Sequence, residues 1–87
     1  MKLMLIIVRD EDTDSVTQEL ISNGYRITRM ASTGGFLRRG NSTLLVGVEE
    51  DRVEGVLDLL KRVCKPAEGE QRRATIFILN MNEYVRI

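Results

Sequence analysis

The sequence predicts an α+β fold in the order strand, helix, strand, strand, helix, strand, and three observations carry that prediction. Residues 3–8 and 43–48 are short apolar runs of strand length, flanked by charged or polar residues. Residues 74–79 form a third such run near the end of the chain. Val53, Val56, Leu57, Leu60, Val63 and Cys64 recur at helical spacing, which marks an amphipathic helix before that last strand.

Taken in order, residues 3–8 are apolar at every position, so the first strand has two apolar faces and reads as an inner strand. Asp10, Glu11, Asp12 and Asp14 then stand where a helix begins. Their charge complements its positive end, and Asp12 or Thr13 is the expected cap. Val16, Leu20 and Ile21 give this helix a modest apolar stripe, and Asn23-Gly24 stops it. In residues 25–32, Arg26, Thr28 and Arg29 interrupt the apolar alternation, as suits an edge strand. Residues 43–48 read as a second inner strand, in which Gly47 marks a bulge or a close backbone approach. Asp51 with Glu54 makes a capping-box pattern for the second helix. Cys64 lies on that helix's apolar stripe and reads as a small core residue, not a nucleophile. Lys65-Pro66 ends the helix, residues 66–72 are a short polar connection, and residues 80–87 carry no clear pattern.

This order is the split βαβ, ferredoxin-like pattern: an antiparallel sheet with both helices on one face and the first and third strands central. Residues 1–87 read as one domain. Two helices cover only one face of such a sheet, yet the last strand is apolar on both, with Ala74, Ile76 and Ile78 on one side and Phe77 and Leu79 on the other. Further copies of the chain are the simplest cover for the second face. A domain of this size hides only about 60% of the surface its unfolded chain exposes, so association also adds stability.

Composition excludes several function classes. Thirteen basic and thirteen acidic residues cancel, which argues against a general nucleic-acid face. The two central strands also lack the aromatics on which RNA-recognition domains of this topology stack bases. With no histidine and one cysteine on an apolar stripe, the common nucleophile–base pairs cannot be assembled, so the chain is expected to be no enzyme, with no catalytic residues. The acids at residues 10–14 suit a helix start better than a metal site, and neither metal nor cofactor is expected. A lone cysteine rules out an intrachain disulfide, and the cytoplasm is the natural compartment. Arg9 and the acids after it end the first apolar run too soon for a signal sequence or a membrane span.

The densest chemistry lies in Thr33-Gly34-Gly35-Phe36-Leu37-Arg38-Arg39-Gly40-Asn41-Ser42-Thr43. Gly34 and Gly35 free the backbone and admit a ligand to it, and Phe36 offers a ring on a loop. Arg38 and Arg39 add permanent positive charge, and Asn41 an amide that donates and accepts. That set suits a nucleotide or another phosphorylated heterocycle. A glycine-rich hairpin with solvated arginines and Phe36 folded onto the core is the competing reading of the same residues.

The segment Ala31-Ser32-Thr33-Gly34-Gly35-Phe36-Leu37-Arg38-Arg39-Gly40-Asn41-Ser42-Thr43 closely resembles the central loop of the PII-like cyclic di-AMP receptor proteins. The resemblance extends to the opening strand and its acidic turn, to Tyr25-Arg26-Ile27-Thr28, to Gly47-Val48 and to Asp51-Arg52-Val53. It spans roughly the first 65 residues and, more weakly, the last strand. It implies a PII-like homotrimer in which a non-enzymatic signal-transduction protein holds cyclic di-AMP in clefts between subunits. It also implies ligand contacts at Arg26, Thr28, Gly35, Phe36, Leu37, Asn41 and Gly47, with Arg26 or Arg38 facing phosphate. One departure matters. The family's long connection between the second helix and the last strand shrinks here to residues 66–72, so its conformational output is open to loss. The alternative is a PII-like trimeric adaptor that binds a different nucleotide or acts through a protein partner, with neither nucleic acid nor membrane as a partner in either case.

Overall fold

The computed structural model describes residues 1–30, 40–66 and 72–87. Strand β1 covers Lys2–Arg9, helix α1 Asp10–Ser22, β2 Ile27–Met30, β3 Asn41–Val48, α2 Val53–Val63 and β4 Ala74–Asn80. A single 3₁₀ turn, Glu50–Arg52, leads into α2. The sheet order is β2-β3-β1-β4, with every neighbouring pair antiparallel. The architecture is therefore α+β, a four-stranded antiparallel sheet with two helices, and its order is compatible with the ferredoxin-like βαββαβ arrangement. As the apolar runs predict, β1 and β3 are central. No helix among the described residues is long and apolar enough to cross a membrane.

The register decides which side chains meet the helices. Antiparallel partners point the same way, so Met4 shares a face with Val46 and Ile78, and Ile6 with Leu44 and Ile76. This face packs against Val16 and Leu20 of α1 and Val56, Leu59 and Leu60 of α2 in one core. Fully burying each such side chain is worth about 1.5–3 kcal/mol. Cys64 is buried in the same core, as its place on the stripe predicts. Leu59, outside the predicted stripe, is buried too, because α2 meets both the sheet and α1.

The opposite face carries Leu3, Leu5 and Ile7 of β1, Leu45 of β3 and Phe77 and Leu79 of β4. Phe77 is 52% exposed and Leu79 49%. Ile78 stands on the helix side of the outer strand β4 and is still 46% exposed. The apolar sheet face left without a helix is thus present as the sequence predicts.

Both helix starts differ from expectation. Helix α1 begins at Asp10, Arg9 holds the cap position, and no side chain caps it. Asp12 lies inside the first turn and is buried. Its Oδ2 accepts from Nε and Nη2 of Arg9 at 3.1 and 2.8 Å, and its Oδ1 from the Lys65 N–H at 3.1 Å. Thr13 Oγ1 donates to the Arg9 carbonyl at 3.1 Å and does not cap. A buried carboxylate needs partners more than an exposed helix end needs a cap, and here it finds them in a guanidinium and a peptide N–H. The capping box of α2 is also absent: Arg52 precedes the helix, with no side-chain cap bond. The chain enters through the 3₁₀ turn instead, where the Arg52 N–H donates to the Glu49 carbonyl at 2.9 Å. The stop of α1 follows expectation. Gly24 takes a φ of +83°, which favours glycine, and the Asn23 side-chain amide donates to the Glu19 carbonyl at 2.7 Å.

Candidate functional site

Strands β1 and β2 flank β3 and are both antiparallel to it, so they run in the same direction. The start of β2, the start of β1 and the end of β3 therefore share one end of the sheet. An open cleft of about 720 Å³ lies there, lined in part by Arg26, Thr28 and Gly47. Three of the residues singled out in the sequence are thus brought to one place by the pairing of β2 with β3.

Asn41 is not among them. It opens β3 opposite Arg9, six residues from Gly47, a separation of about 20 Å at the usual strand rise. Gly35, Phe36, Leu37 and Arg38 lie outside the described residues, as does most of the short connection expected at residues 66–72. The two ends of the 31–39 segment, Met30 and Gly40, stand at Asn41's end of the sheet.

The cleft also gathers residues that the sequence reading did not select. Arg52 and Arg86 join Arg26, giving three guanidinium groups against one carboxylate, Glu49, in the lining. Tyr25 and Tyr84 add two phenol rings. Arg52 caps the Tyr25 ring, its guanidinium carbon 4.2 Å from the centroid, and donates to the Asn23 carbonyl at 3.0 Å. The Tyr25 hydroxyl would stand 2.9 Å from a Cβ at Gly55, so only glycine there lets the ring lie so close to α2. A tyrosine at the mouth of the strand and a glycine inside an otherwise strong helix were the available signals for this contact.

At Gly47 the expected bulge or backbone approach is replaced by a close approach of side chains, since the pairing with β1 continues through it. A Cβ there would lie 3.2 Å from Met81 Cε and 3.8 Å from Met1 Cε, so both thioether ends rest over it on the open face. The segment that brings Met81 there is fastened by its N–H to the Met1 carbonyl at 3.1 Å, and by the Lys2 ammonium to the Asn80 side chain. Methionine side chains are flexible and yield to an incoming group at little cost. The cleft is accordingly a cationic, partly aromatic hollow with a soft floor, suited to a flat heterocycle that carries negative charge.

The lone thiol is elsewhere and inert. Burial, with the Asp12 carboxylate adding to it, pushes Cys64 above the usual thiol range, while Arg73 and Arg9 pull in the opposite direction.

The chain is similar to known proteins in sequence and in fold. The family model described as cyclic-di-AMP receptor matches residues 1–72. A crystal structure of a functionally unknown protein from Pediococcus pentosaceus superposes with a TM-score of 0.79 and 32% identity, covering 99% of this chain and 96% of that one.

Proposed function

Because this chain belongs to the cyclic-di-AMP receptor family, we propose that it is a non-enzymatic receptor holding cyclic di-AMP in clefts between the subunits of a PII-like homotrimer. The observation that carries the proposal is the cleft that joins Arg26, Thr28 and Gly47 with two further arginines and two tyrosines. Cyclic di-AMP carries two phosphodiester charges and two purine rings, and the cleft offers guanidinium groups for the former and flat rings for the latter. Arg26 pairs with phosphate, Thr28 donates its hydroxyl, and Gly47 keeps the floor low.

Gly35, Phe36, Leu37, Arg38 and Asn41 complete the site in this reading, with Phe36 against a base. Asn41 stands about 20 Å from Gly47 within one chain, which favours a site assembled from two subunits over one contained in a single chain. The exposed apolar face of Leu3, Leu5, Ile7, Leu45, Phe77 and Leu79 supplies a surface on which subunits associate. A receptor for a small messenger with this composition belongs in the cytoplasm.

One observation favours a second reading, a PII-like adaptor tuned to another nucleotide or to a protein target. The family match ends at residue 72, and Tyr84 and Arg86, which line the cleft, lie beyond it. Calorimetric titration with cyclic di-AMP, other cyclic dinucleotides and ATP distinguishes the two. Saturable binding of cyclic di-AMP alone supports the receptor; preference for another nucleotide, or none, supports the adaptor.

A further inference from the structure

We propose that the turn at residues 9–12 is a shared anchor for the two chain connections at the Asn41 end of the sheet, with Asp10 and Asp12 as its positioning residues. On one side, the Asp10 N–H donates to the Gly40 carbonyl at 2.8 Å, and Asp10 Oδ1 accepts from Ser42 Oγ at 2.8 Å. These two bonds bracket Asn41. On the other side, Asp12 Oδ1 accepts from the Lys65 N–H at 3.1 Å, and Arg9 Nη2 donates to the Lys65 carbonyl. Lys65 thus has both its peptide N–H and its carbonyl held from one turn. Arg9 also reaches Glu11, Nη1 to Oε1 at 3.5 Å.

The two sides are joined through the buried Arg9–Asp12 pair, whose members are only 7% and 1% exposed. Asp12 accepts three hydrogen bonds, so it cannot rotate without taking two acceptor contacts from a buried guanidinium and the acceptor from the Lys65 N–H. Asp10 and Asp12 are two residues apart in one helical turn and move together. Any shift of the Gly40–Ser42 backbone is therefore felt at Lys65, and the reverse. Where Asn41 contributes to the ligand site, which rests on the function proposed above, the anchor sets its position.

Hydrogen exchange of the ligand-free protein tests the anchor without reference to ligand. Ser42→Ala removes one hydroxyl and leaves the buried pair intact. It is expected to speed exchange at Lys65 several-fold as well as at residues 40–43. Faster exchange confined to residues 40–43 would overturn the proposal. Asp12→Asn is the converse variant, expected to speed exchange at residues 40–43, and Ser42→Ala remains decisive if Asp12→Asn fails to fold.

Titration with cyclic di-AMP supplies the second arm. Each single variant is expected to weaken binding roughly threefold to tenfold. The double variant should weaken it no further than the worse single, because either break frees the same turn. Losses that multiply would overturn the anchor. A wild type that binds no cyclic di-AMP would instead overturn the functional reading, and the exchange result at Lys65 would then judge the anchor by itself.

Discussion

Met81 rests over Gly47, its Cε 3.2 Å from the place a Cβ would occupy. The end of the chain is in this way laid across the floor of the cleft, and a residue selected as a ligand contact is also a packing contact. The two roles separate by mutation. Gly47→Ala needs Met81 to yield by a few tenths of an ångström, which a flexible side chain does cheaply. The melting temperature should fall by no more than about 4–8 °C, the shift that 1 kcal/mol produces in a domain of this size. Affinity for cyclic di-AMP should fall about tenfold, or about 1.4 kcal/mol. Unchanged affinity with a lowered melting temperature would leave Gly47 a packing residue only.

The loop and the strand supply the second pair of variants. Phe36→Ala should remove base stacking worth about 1–3 kcal/mol. Arg26→Ala should remove a charge-assisted contact worth about 1.5–3 kcal/mol. Each is expected to weaken binding by roughly one to two orders of magnitude, while the melting temperature barely moves, because Arg26 is exposed in the free chain. Arg39→Ala should matter less. If Phe36→Ala kept full affinity and lost many degrees of melting temperature, Phe36 would be a core residue.

The two sheet faces predict opposite outcomes for the same substitution. Ile6 is fully buried beneath the helices, so Ile6→Asp should abolish folding. Phe77 stands half exposed on the open face, so Phe77→Asp should leave the circular dichroism of the fold intact and split the proposed trimer. Light scattering reads the result. A wild type that runs as a monomer, or a Phe77→Asp variant that keeps the wild-type mass, would contradict the assembly.

Cys64 makes a prediction about alkaline pH. Its thiol is pushed up in the folded chain, chiefly by burial, so the folded state holds its proton more tightly than the unfolded state does. The stabilisation is complete below the thiol's ordinary value of about 8.5 and declines as pH rises from there through the raised folded value. Cys64→Ala should flatten that alkaline decline and leave the stability profile near neutrality unchanged in slope. Thiol reagents at neutral pH should reach Cys64 only on unfolding.

The sheet order was legible because residues 3–8 are apolar throughout and residues 43–48 mostly so, which leaves little choice but central strands, and the second helix was legible because its apolar residues recur at helical spacing. The helix starts were not, since capping patterns describe exposed ends and Asp12 is turned inward by Arg9, a pairing that depends on where Lys65 arrives from the far side of the fold. Arg26, Thr28 and Gly47 were found by likeness of motif, and the cleft gathers all three. Arg86 and Tyr84 were missed because residues 80–87 have no periodicity; the Met81–Met1 and Lys2–Asn80 contacts bring that segment to the cleft. Asn41 shows the converse limit, because spacing along a strand says how far apart two residues lie in one chain and nothing about a second chain beside it.

The most direct test of the central claim is calorimetric titration of the assembled protein with cyclic di-AMP, ATP as the competitor. The account predicts saturable binding of one cyclic di-AMP per chain, undiminished by ATP and weakened by roughly one to two orders of magnitude in Arg26→Ala. Absence of heat with cyclic di-AMP, or binding that ATP displaces, would contradict it.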